Sequence, residues 1–347
     1  MNLPLGGIRT PWSEPPATGE AIEVAPGVLW IRIPLKMALD HVNVYALDDG
    51  DSWTIIDTGL NTKATREVWQ GLMAGPLGAK PVARVVMTHH HPDHVGLIGW
   101  FMREHGATLT APRVAWLMAR MLTLDVETSP TQEAIEFRRS AGMPADLLEK
   151  YATERPFNFG DIVAPIPVGF TRIGEGDVIS MGGRDWDVRM GNGHAPEHAT
   201  FWSRDDNLVI AGDQIIASIS PNVGVYPQQP NEDPLGDWIE ACERLAEHAR
   251  EDHLVLPGHK LAFTGLPLRM KQMIDNHSGA LVRLLAWLEQ PRTAHECFAP
   301  LFKRQIDAGT YGLALVEAIA HLNHLYLRGD VTRTRRDDGA WVYQAKG

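Results

Sequence analysis

The run Met87-Thr88-His89-His90-His91-Pro92-Asp93-His94 constrains this chain more than any other stretch. It carries the spacing H-x-H-x-D-H and follows ARVVMT (83–88), a short apolar, β-branched run of the kind a buried strand needs. In extended chain, residues two apart point to the same side, so His89 and His91 can reach one metal ion. Pro92 then turns the chain into a predicted helix, whose first turn aims Asp93 and His94 at a second ion. Imidazole together with carboxylate suits Zn²⁺, and Fe or Mn is compatible with the same donors.

The 15 histidines are the one unusual count in 347 residues, so their positions matter. His194 in GNGHAPEH, Asp213 in VIAGDQ and His259 in VLPGHK each follow a strand-like run on a Gly-bearing turn. A loop at a sheet edge presents a side chain in that way. His90 and His105 look like neither ligands nor braces. The helix-borne His248, His253, His277, His295, His321 and His324 read as surface or packing residues.

Strands and helices alternate along the chain, which argues for an α/β sandwich. Residues 1–20 are rich in Pro and Gly and read as a loosely packed arm. IEVAPGVLWIRIPL and HVNVYALDDGDSWTIIDTG read as strands, with DDGD as a hairpin turn. Helices follow over Thr62–Leu72 and Val95–His105, the second closed by Gly106, and TLTAP is another strand. Residues 112–157 form a helical insert of two or three helices, broken at Pro130 and at Gly142–Met143–Pro144. Strand-like runs then resume in TRIGEGDVISMGGRDWDVRMGNG, NLVIAGDQ and HLVLPGH. Beyond Gly265, three helix-like segments (Pro267–Gln290, RTAHECFAPLF, Tyr311–Arg328) precede a hairpin turning at Asp338–Gly339, the order of a winged helix. The expected division is therefore a catalytic domain over 1–266 and a winged-helix-like domain over 267–347.

The net charge of −11 argues against a protein that grips nucleic acid through its overall field. Residues 267–347 differ, with 11 Lys and Arg against 8 Asp and Glu, so the rest of the chain stands at −14. Only Cys242 and Cys297 are present, far apart, which implies no disulfide framework and fits a cytoplasmic protein. Neither a signal peptide nor an apolar run of ~18 residues is visible, so no membrane role is expected.

The set of Asp57 in IIDTG, the H-x-H-x-D-H run, His194, Asp213 and His259 resembles the metallo-β-lactamase superfamily over roughly residues 22–265. The resemblance implies the αβ/βα sandwich with the site along the edge where the loops of two sheets meet. It implies that His89, His91 and His194 hold one metal, that Asp93, His94 and His259 hold a second, and that Asp213 bridges. Asp57 would orient the His loop, and His198 would support the site. Two Zn²⁺ ions sharing a hydroxide provide a nucleophile at neutral pH without a Ser or Cys, and Asp93 can aim that hydroxide.

The expected activity is hydrolysis of a small acyl substrate, a thioester, lactone or ester. The alternatives are a phosphodiesterase or endoribonuclease acting on single-stranded RNA, and a metal-bound interaction module without turnover. Arg138, Arg139, Tyr151 and Phe157 of the insert, Tyr226 after Asp213, and Asp40 and His41 in LKMALDHVNVY are candidates to meet the substrate. For Arg138 and Arg139 the reading as a solvated helix face carries the greater weight. Arg333, Arg335 and Arg336 cluster in the terminal hairpin. Leu281, Leu284, Leu285, Trp287 and Leu288 fit either packing inside the small domain or a homodimer contact, with the balance toward packing.

Overall fold

The computed structural model describes residues 7–36, 39–302 and 304–347. The start of the expected N-terminal arm and two residues of LKMALDHVNVY lie outside this set. Contacts divide the chain into two compact units. The first comprises Met1–Val126, Asn158–Pro221 and Leu245–Met270; the second comprises Glu127–Phe157, Asn222–Arg244 and Lys271–Gly347.

The first unit is built on two sheets. Strands β1 (Ala21–Ala25), β2 (Val28–Pro34), β3 (His41–Asp48), β4 (Trp53–Ile56), β5 (Val82–Val86), β6 (Thr108–Pro112) and β7 (Thr171–Ile173) form a seven-stranded sheet in chain order. Pairing is antiparallel from β1 to β4 and parallel from β4 to β7. The second sheet runs β12 (Leu254–Pro257), β11 (Leu208–Gly212), β10 (His198–Ser203), β9 (Arg184–Gly191) and β8 (Val178–Met181). The apolar runs of β2 and β3 are explained by burial on both faces. Trp30, Tyr45 and Leu47 enter a core shared with Trp186, Phe201 and Leu256 of the second sheet. Ile31, Val44 and Ala46 face the other way, into a core with Trp69, Leu72 and Phe101.

That second core is closed by helices α1 (Lys63–Ala74), α3 (Ile98–Glu104) and α4 (Arg113–Leu124). Thr62 caps α1 by accepting the Thr65 amide at 3.1 Å, as the sequence TKAT leads one to expect. The helix expected over Val95–His105 instead splits into α2 (Pro92–Val95) and α3. The Leu97 amide donates to Thr58 Oγ1 at 3.0 Å, and the Gly96 carbonyl accepts from Ala164 at 2.7 Å. Side-chain and loop partners thus take the groups a continuous helix would use. Gly96 is obligatory here, because a Cβ would lie 2.4 Å from the Gly59 carbonyl oxygen.

The Pro- and Gly-rich arm is anchored where it is described. Arg9 pairs with Thr264 in an antiparallel bridge, and Trp12 meets Trp30 edge-on at 6.1 Å. No helix among the described residues is long and apolar enough to cross a membrane.

The second unit contains α5 (Gln132–Ser140), α6 (Ala145–Thr153), most of α7 (Pro234–Ala246) and of α8 (Leu266–Trp287), α9 (Phe298–Leu301), α10 (Tyr311–Leu327) and the hairpin β13–β14 (Val331–Arg335, Trp341–Ala345). Chain order had placed residues 127–157 and 222–244 with the sheets. They pack instead with the C-terminal segment: Asn323 Nδ2 donates to the Pro230 and Glu232 carbonyls, and Arg335 pairs with Glu136. Of the five apolar residues expected to pack or to meet a second subunit, Leu281, Leu284 and Leu288 are buried, Leu285 is half-buried and Trp287 is exposed. Burial also holds imidazoles of this unit neutral, His277 down to about 3 and His321 to about 4, and pushes the Glu317 carboxyl up to about 7.

Trp69 joins the helical core to the loop that follows β4, since its Nε1 donates to the Thr58 carbonyl at 2.8 Å. Trp69→Phe keeps most of the apolar volume but leaves that buried carbonyl unpaired, which costs ~1–3 kcal/mol. Urea unfolding is expected to show an earlier midpoint by that amount; an unchanged midpoint would show that the carbonyl has found another donor.

Candidate metal centre

All seven expected ligands leave the C-terminal ends of strands of the first unit. His89, His91, Asp93 and His94 follow β5, His194 follows β9, Asp213 follows β11 and His259 follows β12. Their donor atoms converge in overlapping groups, each spanning less than 4.8 Å: His89–His91–His194, His89–His94–Asp213 and Asp93–His94–His259. Asp213 reaches both sides. Its Oδ1 lies 3.5 Å from His94 Nε2, and its Oδ2 lies 3.6 Å from His194 Nε2 and 3.2 Å from His259 Nε2. Asp93 Oδ2 is 3.4 Å from His259 Nε2 and 3.8 Å from His94 Nε2, while His89 Nε2 is 3.1 Å from His91 Nδ1.

These separations fit a divalent metal. Nitrogen and oxygen ligands ~2.0–2.1 Å from a tetrahedral ion stand about 3.4 Å from each other. Moreover, His94 Nε2 and Asp213 Oδ1 are buried without a hydrogen-bond partner. Buried polar atoms are seldom left so, and two facing one another mark a place for a cation.

Asp57 determines which nitrogens face the centre. Its Oδ2 accepts from Thr88 Oγ1 at 2.7 Å and from His94 Nδ1 at 2.8 Å, and its Oδ1 accepts the Thr88 amide at 2.9 Å. With its single proton given to Asp57, the Thr88 hydroxyl must accept from His89 Nδ1, 2.9 Å away. His89 and His94 are therefore both protonated at Nδ1, and both turn a lone pair at Nε2 toward the centre. His259 is set likewise, its Nδ1 donating to the His41 carbonyl at 2.7 Å. Bracing through the far ring nitrogen is what metal-binding imidazoles require.

Charge follows the same plan. Burial, then the neighbouring imidazoles, holds His89 well below the usual histidine range; burial and His194 do the same to His91. Burial also opposes a charge on His94 and His259, yet Asp213 and Asp93 overcome it and raise both, His259 to about 10. Desolvation works against ionisation of Asp213 and Asp93 too, but the facing imidazoles keep both carboxyls below their ordinary values. The carboxylates thus draw positive charge onto His94 and His259, charge that a divalent cation would supply through the same lone pairs.

His198 is a brace. Its Nε2 accepts the Asp213 amide at 3.0 Å, and its ring stacks on His89 with centres 4.5 Å apart. Asp40 and His41, expected at the rim, differ from each other: Asp40 is exposed, whereas His41 is buried and accepts the Lys260 amide at 3.0 Å while donating to Asp40 at 2.6 Å. Three further supports have no local sequence signature. Asn43 Nδ2 donates to the carbonyls of Pro257 and Lys260, Tyr45 Oη donates to Pro257, and Glu197 accepts the Val114 amide at 2.6 Å. Gly258 is required by proximity, since a Cβ there would sit 2.1 Å from Asp213 Oδ1.

The substrate candidates expected in the insert and after Asp213 fall in the second unit. Arg138 lies over the Tyr151 ring at 3.7 Å, Arg139 pairs with Glu136 at 2.6 Å, and the Tyr226 side chain is 43% exposed. None of the three is among the residues that converge around Asp213. A shallow cleft of about 750 Å³ on the first unit, lined by residues such as Asp49, Lys80 and Arg184, also contains none of the seven.

A family profile described as "Metallo-beta-lactamase superfamily" matches residues 37–264, and one described as "Metallo-beta-lactamase-like, C-terminal domain" matches 281–346. A β-lactamase domain protein from Burkholderia ambifaria superposes with a TM-score of 0.87 at 32% identity, covering 98% of this chain and 97% of that one. The probable metallo-hydrolase YqjP of Bacillus subtilis is 28% identical over 315 residues, 88% of this chain and 94% of that protein. The acyl-coenzyme A thioesterase MBLAC2 of Gallus gallus is 25% identical over 247 residues, 67% of this chain and 77% of its own length.

Asp57→Ala removes the acceptor that orients His94 directly and His89 through Thr88. Metal affinity is expected to fall by ~10–100-fold, the usual effect of losing such a support. Competition with a chromophoric chelator measures it; unchanged affinity would show that the two rings hold their tautomers without Asp57.

Proposed function

The chain belongs to the metallo-β-lactamase superfamily of metallohydrolases, and we propose that it hydrolyses acyl thioesters of a small carrier thiol at a centre of two Zn²⁺ ions. One ion would be held by His89, His91 and His194, the other by Asp93, His94 and His259, with Asp213 between them. The observation that carries this reading is the reach of the two Asp213 oxygens to imidazoles of both groups. Three imidazoles on one side, and two imidazoles with a carboxylate on the other, are donor sets that suit zinc. When bound, the pair supplies a water nucleophile deprotonated near neutral pH and a Lewis acid for the acyl oxygen.

Asp93 has the freest approach of the two carboxylates, its side chain 18% exposed against 8% for Asp213. Held ionised by His94 and His259, it can accept a hydrogen bond from the attacking water and aim it at the acyl carbon. Asp213 is fixed by His198 through its own amide and keeps the two imidazole groups in register. A thiol of ordinary pKa (~8.5) leaves as the thiolate at little cost. A thiolate needs no acid to protonate it on departure, and the polar atoms that converge here can serve as ligands and braces. The name given to the MBLAC2 relatives supports the same substrate class.

Metal-loaded protein is expected to release thiol from coenzyme A or glutathione thioesters with a kcat on the order of 10 s⁻¹, and chelated protein to release none. Asp93→Asn is expected to lower kcat by ~10²–10⁴-fold, the range for loss of a positioned proton acceptor. No metal-dependent thiol release would overturn the thioester reading. Lactone hydrolysis would then place the substrate elsewhere among acyl compounds, and cleavage of single-stranded RNA would place it among phosphodiesters.

A further inference from the structure

We infer that His277, Glu317 and His321 form a separate metal site in the second unit, one that takes a single divalent cation of the zinc type. Their donor atoms lie within 4.8 Å of one another, and none of the three belongs to the groups around Asp213. His277 stands on α8, whereas Glu317 and His321 stand on α10. The i, i+4 spacing of the latter two places their side chains on the same helix face, one turn apart. Two imidazoles and a carboxylate are a set that zinc accepts, with one position left over.

Two of the three donors are oriented. His321 Nδ1 donates to the Glu317 carbonyl oxygen at 2.8 Å, so His321 Nε2 carries a lone pair, which faces His277 Nδ1 at 3.2 Å. Asn222 Nδ2 donates to Glu317 Oε2 at 2.7 Å and leaves Oε1 available. Bracing of this kind, through the atom turned away from the cation, is the pattern already seen for His89, His94 and His259. His324, on the next turn, is committed to Asp233 at 3.0 Å and is not one of the donors.

His277 provides an independent sign. It is 2% exposed, and its Nε2 has no hydrogen-bond partner. The ring lies beside the Trp238 indole, centres 5.0 Å apart at 60°. If Nδ1 holds the proton and donates to His321, a buried Nε2 lone pair is left without any donor. A cation at Nδ1 moves that proton to Nε2, and an N–H beside an aromatic ring has the favourable polarity. The cation would also place positive charge beside the Glu317 carboxyl, whose hydrogen bond comes from the neutral Asn222 amide.

The test is an ion count on full-length protein. Chelated wild type and the near-isosteric Glu317→Gln variant are each loaded with Zn²⁺, dialysed, and analysed for zinc per chain. Wild type is expected to hold one ion more; equal counts would overturn the proposal and leave His277–His321 as a hydrogen-bonded pair. A second arm starts from the variant His89→Ala, Asp213→Ala, His259→Ala, which takes ligands from both groups of the first unit. If folded by circular dichroism, it is expected to retain one Zn²⁺ that is lost on adding Glu317→Gln, and retention of none would equally sink the idea. Neither arm reads thiol release, so the outcome is independent of the substrate assigned to the first unit.

Discussion

The hydrogen bonds accepted by Asp57 are the constraint on which the centre of the first unit rests. A buried carboxylate is costly unless its oxygens are fully engaged. Here one oxygen takes the Thr88 amide, and the other takes the Thr88 hydroxyl and His94 Nδ1. Because the hydroxyl has only one proton, its choice of Asp57 dictates the tautomer of His89. One carboxylate thus fixes a lone pair in each of the two imidazole groups. The backbone shows the strain of the arrangement: Asp57 has φ = 60°, in the left-handed region that only Asn, Asp and Gly enter readily. A strand ending at Ile56 must turn abruptly to aim that side chain, and Asp is the residue type that combines the turn with the charge.

The other ligands obey the same logic with different means. Each follows the end of a strand, where the sheet is rigid and the departing loop is short. Asp213 is held by its own amide on His198, and His259 by the carbonyl of His41. The tight turn at Gly258 lets Asp213 approach the β12 end so closely that no side chain fits between them. Asn43 and Tyr45, on the first sheet, clamp the Pro257 carbonyl at the end of a strand in the second. The two sheets are therefore tied together at the point where their loops must hold donor atoms ~3–4 Å apart.

What could be read from the sequence followed from local physics. The apolar runs at 28–33 and 82–86 mark strands because both of their faces are buried, and TLTAP matches β6 residue for residue. The H-x-H-x-D-H run, His194, Asp213 and His259 stood out because each pairs a donor with a turn after a strand. What could not be read depends on contacts between distant segments. Helices α5 and α6 share a unit with the C-terminal segment through partners 150 to 200 positions away, such as Glu136 with Arg335. The interruption of the helix at Gly96 comes from Thr58, which takes the Leu97 amide. His277 and His321 read as packing residues because their helices carry no motif, and only the fold brings the two rings together.

Charge connects these observations to chemistry. Asp57, Asp93 and Asp213 bring three negative charges into a buried volume of the first unit, and all three are committed to imidazoles. Two divalent cations would bring four, an excess of one that a hydroxide held with them would cancel. Charges matched in this way interact far more strongly in a site closed to water than on a surface. In the second unit Glu317 brings one negative charge, so a single divalent cation leaves the same excess there, enclosed by His277, His321 and Trp238.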